Sequence, residues 1–329
     1  MARDTCLHST RRPARRPARR PRLAWRLGAI AAMLLLAACA SPTTTPTAAA
    51  TVATSAPTSS ASAGSGAVSL TALPLGDGHV GSRPQVGWVY ACQTTFPPRG
   101  GAQGADPWIH GSTWDETAKI AVEGSVNWSQ ASYSMQVSGG QRVIVSNDLP
   151  VGYPTGSFPI QIADPAFQLD RNPNSVQPQA IHYSLPANPT LAPSPTCVGM
   201  GPIGVLTDGV LLFNALDAEG RDAQAHEVQD RCGGHPQMNG MYHYHGVSPC
   251  LMRTATGSST LIGYALDGFG IYVERDANGA LLTDADLDAC HGRTSIVTWD
   301  GKQVSMYHYD ATAEYPYTVG CFMGAPVRG

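Results

Sequence analysis

Lysine is scarce: Lys119 and Lys302 are the only two among 21 basic residues in a chain of 329. Nine of the arginines fall within residues 1–26, beside a single acid, Asp4. If that opening is a removable leader, taking nine Arg and one Asp from 21 basic and 24 acidic residues leaves 12 against 23, a formal charge of −11. So acidic a body disfavours nucleic acid and anionic lipid as partners and suits cations. Long apolar runs are lacking too. The run "LGAIAAMLLLAACA" at residues 27–40 falls short of the ~20 residues that span a bilayer. There is no Gly-x-Ser-x-Gly elbow and no phosphate-binding glycine loop. His226-Glu227 lacks the second histidine of the zinc-protease helix motif. Serine hydrolases of the elbow type, P-loop enzymes and that protease class are thereby set aside.

What is present at the start is an export signal. Basic residues followed by a short apolar core and Leu36-Ala37-Ala38-Cys39 read as a lipoprotein signal peptide over residues 1–38. Cys39 would become the lipidated N-terminus. Residues 39–67 hold no charge and no aromatic ring, so they cannot bury enough surface to order and read as a Ser/Thr/Ala/Pro tether. The expected partner is a membrane, through the lipid. The expected location is the bacterial cell envelope, with the body facing the periplasm or the exterior.

The body is residues 68–329, with an N-terminal half at 68–200 and a Cys/His-rich half at 201–329. It keeps six cysteines, Cys92, Cys197, Cys232, Cys250, Cys290 and Cys321. An even number in an exported chain argues for disulfides over thiolate metal ligands, with about 15 pairings open. Runs such as "VGWVYA", "KIAVEGSVNW", "YSMQV", "RVIVS", "GVLLFNAL", "LIGYAL", "GIYVE" and "SMYHY" read as strands, separated by Gly-Gly, Asp-Gly and Asn-Gly turns. Helix signals are confined to "AQAHEVQ" and to "DADLDAC" behind Thr283. The expected fold is mainly β, a sandwich-like all-β body with short helices and long Pro-rich loops, stabilised by disulfides.

The chemistry concentrates in "NGMYHYHGVSPC" at residues 239–250. In a strand His243 and His245 share one face, about 7 Å apart at Cα, and Tyr242 and Tyr244 take the other. Two imidazoles so placed can reach one metal ion. The block echoes itself: Cys232, His235, His243, His245 and Cys250 are followed by Cys290, His291, His308, Asp310 and Cys321. If this is an internal duplication, the simplest disulfides are Cys232–Cys250 and Cys290–Cys321, leaving Cys92–Cys197. The candidate ligands are His243, His245, His308, Asp310, His235 and His291, with His226 nearby. Imidazole with carboxylate suits a divalent transition metal, zinc or copper first, with iron and nickel also open.

The strings "LPLGDGHVGSRPQVGWVYAC", "DRNPNSVQPQ", "FNALDAEGRDAQAHEVQDRCGGHP", "GYALDGFGIY" and "YPYTVGCF" resemble the bacterial YHYH-domain proteins, called after the motif at residues 242–245. The resemblance implies an exported protein or lipoprotein and leaves the activity open. In such proteins a histidine often ends the second motif as well, where this chain has Asp310.

The leading expectation is a cell-envelope protein that binds one divalent transition metal through this cluster. One alternative is a metal-assisted hydrolase with Glu227, Asp267 or Glu314 as general base. Another is an adhesion or glycan-binding module using its Trp and Tyr faces, with the histidines scattered in space.

Overall fold

The computed structural model describes residues 68–98, 102 and 106–327. The leader, Cys39 and the tether lie outside the described residues. Five two-residue strands come first: β1 (Leu73–Pro74), β2 (Val80–Gly81), β3 (Val89–Tyr90), β4 (Ile109–His110) and β5 (Thr113–Trp114). A meander follows, made of β6 (Tyr133–Ser138), β7 (Gln141–Ser146) and β8 (Ile181–Pro186). The rest of the chain supplies β9 (Pro202–Leu206), β10 (Leu211–Phe213), β11 (Gly234–Pro236), β12 (Tyr242–Tyr244), β13 (Ser259–Ala265), β14 (Gly270–Glu274), β15 (Gly292–Trp299) and β16 (Lys302–Asp310). Two four-residue helices interrupt it, α1 (Ala223–His226) and α2 (Pro249–Met252).

These last eight strands form one sheet in the order β11-β12-β10-β9-β13-β14-β16-β15. The order repeats itself about its middle. On one side β9 and β10 are antiparallel, β10 and β12 parallel, β12 and β11 antiparallel. On the other side β13 with β14, β14 with β16 and β16 with β15 do the same. The two halves meet where β9 pairs antiparallel with β13, in the register Gly263–Leu206, Tyr264–Val205 and Ala265–Gly204. Rotation about the Val205–Tyr264 pair exchanges the other two pairs. The suspected duplication is thus a pseudo-two-fold of the sheet.

Local chemistry repeats with it. Asp208-Gly209 turns β9 into β10 and Asp267-Gly268 turns β13 into β14, with both glycines at φ +91°, a conformation L side chains rarely adopt. Each strand bearing a Tyr-His-Tyr run anchors its rings on acids, of which Asp230, Asp208 and Asp267 are buried. Tyr242 and Tyr244 donate to Asp230 and Asp208, at 2.8 and 2.9 Å. Tyr307 and Tyr309 donate to Asp288 and Asp267, at 3.2 and 2.6 Å. A phenol–carboxylate bond of this kind contributes about 1.5–3 kcal/mol, and each buried ring adds several more through area removed from water.

The β6-β7-β8 meander forms a separate sheet that meets the large one through side chains, the Trp299 indole donating to the Ala187 carbonyl just past β8 at 3.1 Å. Its Arg142 is fully buried between the rings of Tyr264 and Trp299, 4.5 Å from each centroid, and pairs with Asp300 at 2.9 Å. Three disulfides join Cys92–Cys197, Cys232–Cys250 and Cys290–Cys321, the set expected from the repeat. They mark a chain that matures in an oxidising compartment, extracellular or periplasmic. Among the described residues, no helix is long and apolar enough to cross a membrane.

One expected strand is not formed. "KIAVEGSVNW" makes only single bridges, Val122 with Asp230 and Val126 with Thr155. Gly124 between them sits at φ +110°, packed on Ser157, and breaks the extended run. Conversely, β8 forms inside the Pro-rich middle, which had read as ordered loop, and β9 and β11 are strands the sequence did not mark.

Candidate metal centre

Among the described residues, two groups of three side chains bring ligand atoms within 4.8 Å of one another: His235, His243 and His245, and separately Glu274, His308 and Asp310. The sequence had pooled His243, His245, His308 and Asp310 in one site. The two-fold of the sheet divides them instead. His243 and His308 are equivalent, as are His245 and Asp310.

Backbone pairing assembles the first group. β11 runs antiparallel to β12 with His235 opposite His243, and β12 carries His245 two residues on, on the same face. The Asp230 carboxylate shapes the entry to β11 by accepting from the Cys232 and Gly234 amides at 2.9 and 3.3 Å. All three histidines are buried, at 5%, 3% and 4% exposure.

The direction of each imidazole is set by a carbonyl. His243 Nδ1–H donates to the Met241 carbonyl at 3.2 Å, and His245 Nδ1–H to that of Asn214 at 2.6 Å. Carbonyl oxygens only accept, so in the neutral rings these protons leave both Nε2 atoms as lone pairs. The two Nε2 atoms face each other at 3.1 Å. Two nitrogens on one tetrahedral ion with ~2.0–2.1 Å bonds stand about 3.3 Å apart. The Asn214 carbonyl is aimed by its own side chain, which donates to Gly199 at 2.6 Å and accepts from Leu216 N at 2.8 Å. Phe213 stacks on His243 at 4.0 Å between centroids and walls the group off.

A carboxylate closes the group. Glu227 follows α1, whose start Asp222 caps and whose Ala225 carbonyl accepts from the Trp108 indole at 2.7 Å. Its Oε2 stands 3.3 Å from His235 Nε2 and 3.2 Å from His245 Nε2, with no hydrogen-bond partner of good geometry. Both ring nitrogens of His235 are equally unpartnered. Buried polar atoms without partners are costly, at about 1–3 kcal/mol each. Burial and the neighbouring imidazoles hold His235 and His243 well below the usual imidazole range, so both are neutral at pH 7. Burial also acts on His245, but Glu227 outweighs it and raises that ring.

In the second half, His308 repeats the pattern of His243. Its Nδ1–H donates to the Met306 carbonyl at 3.0 Å, and its Nε2 faces Glu274 at 3.4 Å and Asp310 at 3.5 Å. Burial pushes the Asp310 carboxyl up to about 7, although His308 opposes the shift.

His291 joins neither group. The structure aligns Asp230-x-Cys232-x-Gly234 with Asp288-x-Cys290-x-Gly292, so His291 stands where the first half has Gly233. Both residues have positive φ, +68° and +80°. The His291 ring therefore turns away, 3.0 Å from Thr312 Oγ1 and 3.3 Å from Asp284. The true partner of His235 by register is Arg293, opposite His308. His226 is held between Asp106 and Asp77, at 2.7 and 2.9 Å. Of the acids expected as bases, Asp267 receives Tyr309 and Glu314 receives the Asp284 amide, so only Glu227 meets the histidines. Glu274 had not been marked. Its signal was a lone acid closing the otherwise apolar run "GFGIYVE", all five residues of β14 being buried.

Residues 182–282 match the family model described as YHYH protein, a span that holds the first group and Glu274 and stops before His308. No curated protein and no solved structure matches the chain.

Proposed function

We propose that this YHYH-domain protein holds a divalent transition metal ion, zinc or copper, on His235, His243 and His245, with Glu227 as the adjoining carboxylate. The observation that carries the reading is the pair of Nε2 lone pairs facing each other at 3.1 Å, their tautomers held by carbonyls behind them. Two acceptors at that distance repel unless a proton or a cation lies between them. The second hydrogen bond behind His243 and behind His245 is what metal-bound histidines use to fix ring orientation. Three imidazoles suit zinc and copper better than magnesium or calcium.

A holding role fits better than turnover, because the three rings are almost wholly buried. The hydrolase reading needs an open coordination position, with Glu227 acting on a bound water instead of on the metal. The adhesion reading needs scattered histidines, and these converge. Lipid attachment at Cys39 would hold the domain at the envelope surface, where an acidic body attracts cations.

The test is the zinc and copper content of untagged, full-length protein by mass spectrometry, after stripping with chelator, reloading and dialysis. The expected result is one such ion per chain. Replacing both His243 and His245 by Ala should abolish it, a loss beyond the ~10–100-fold that follows removal of a supporting hydrogen bond. Wild-type protein that keeps no zinc or copper after reloading would falsify the proposal.

A further inference from the structure

The duplicated sheet offers a second set of donors, different in kind from the first. The equivalent of His245 is Asp310, and Arg293 stands at the position of His235. The carboxylate comes from β14, whose Tyr272 and Glu274 share a face. Ser295 donates to both Glu274 oxygens at 3.3 Å and orients them. Arg293 Nε reaches Glu274 Oε2 at 3.5 Å, and its side chain is partly open to solvent.

Asp310 is left over. Its side chain is 0% exposed and neither of its oxygens has a hydrogen-bond donor. His308 is as deeply buried, and its Nε2 is likewise unpartnered. A buried carboxylate without donors is tolerated when a cation takes their place. Each half has therefore kept a convergent donor set with unpartnered atoms, His235 in one and His308 Nε2 with Asp310 in the other, at the same place in the sheet while changing its members. A decayed copy of the first site would not need a new carboxylate supplied by another strand.

We propose that Glu274, His308 and Asp310 form a second metal site, selective for a harder divalent ion than the first, with Mn2+ as its probe. Two carboxylates neutralise a divalent charge and favour oxygen-loving ions, and the one imidazole keeps the site within the transition series. The first site, with three imidazoles and one carboxylate, ranks ions the other way. One chain then sorts two metals on the two ends of one duplicated sheet.

The experiment loads stripped, untagged full-length protein with equimolar Zn2+ and Mn2+. Metal per chain is read by mass spectrometry and bound Mn2+ by its paramagnetic resonance spectrum. One zinc and one manganese are expected. The pair Glu274→Gln and Asp310→Asn should weaken manganese at least ~100-fold and leave zinc unchanged. Asp310→His, which rebuilds the pattern of the first site, should exchange the manganese for a second zinc, and it serves if the double variant does not fold. Manganese retained by the double variant, or absent from wild type that holds zinc, overturns the second site. In the latter case His308 and the two acids form a metal-free ion pair. Manganese retained without zinc, and with no copper bound in a parallel loading with Cu2+, would overturn the first site and leave the second standing.

Discussion

At the scale of single residues, the Tyr-His-Tyr-His motif is a two-faced device. Its tyrosines point to one side of the sheet and donate to buried acids, and its histidines point to the other and meet each other. Burying a carboxyl has a cost, and Asp148, an acid outside the motif, shows it best. It is wholly buried, accepts from the Leu211 amide at 3.0 Å through one oxygen, and has no partner on the other. Burial raises its carboxyl to about 8. The unfolded chain ionises near 3.8, so the neutral form's contribution to stability is complete below that value and is lost as pH rises through 8. Asp148→Asn keeps an acceptor for Leu211 but cannot ionise. We expect nearly equal melting temperatures for variant and wild type at pH 4 and a stability gap that opens in favour of the variant by pH 8, about 5 kcal/mol. A gap that stayed constant across melts at pH 4, 6 and 8 would rule out titration of Asp148 as its source.

At the scale of elements, the site depends on how closely β11 lies under β12. A Cβ on Gly234 would fall inside the ring of Tyr242, and one on Gly292 would meet the Tyr307 hydroxyl in the same way. Gly234→Ala should therefore destabilise the fold by about 2–3 kcal/mol through overpacking and weaken the metal bound beside it. Gly279→Ala is the control. That glycine lies in an open turn at φ +82° with nothing near it, so the change should cost about 1 kcal/mol and leave metal binding alone. Urea denaturation with metal analysis of both variants separates the two effects, and equal losses would mean that the Tyr242 contact is unimportant.

Element by element, legibility followed side-chain pattern. β6, β7, β10, β13, β14 and β16 show alternation or apolar and β-branched runs and are read directly, while β15, eight residues long, opens on Gly-Arg-Thr-Ser and is not. β9 and β11 are rich in Gly and Pro, and they become strands only through their neighbours. The shared face of His243 and His245 follows from period two alone. His235 was reached through the repeat of Cys and His, and the β11–β12 register is what places it, whereas entry of Glu274 requires the parallel β14–β16 pairing, which composition does not reveal. His291 misled because adjacency to a cysteine looked like the repeat unit, when the conserved spacing within the chain is Asp-x-Cys-x-Gly.

At the scale of the whole molecule, three cross-links stabilise a body rich in loops. The Cys92–Cys197 bridge closes 105 residues, and by chain-entropy reasoning it contributes about 4–5 kcal/mol against about 3 for the 18-residue Cys232–Cys250 loop. Anchoring belongs to this scale as well. The lipid proposed on Cys39 would contribute ~0.8 kcal/mol per buried CH2, so that two or more acyl chains would make a stable anchor. Cys39→Ser should move the protein from the membrane to the soluble fraction on cell fractionation. A variant still wholly in the membrane fraction would exclude the lipid as its anchor.

The seam between β9 and β13 has a consequence for any shortened form of the chain. Each half covers the other's open sheet edge. A product ending before β13 would turn the backbone of Gly204, Val205 and Leu206 outward, along a strand that is almost entirely buried in the intact protein. Exposed edges of that kind recruit whatever strand fits. Because the missing partner is a two-fold copy of β9 itself, the best fit is a second truncated chain. The covalent duplication thus stands in for a homodimer, and it keeps that pairing within one molecule, where no other chain can compete for it.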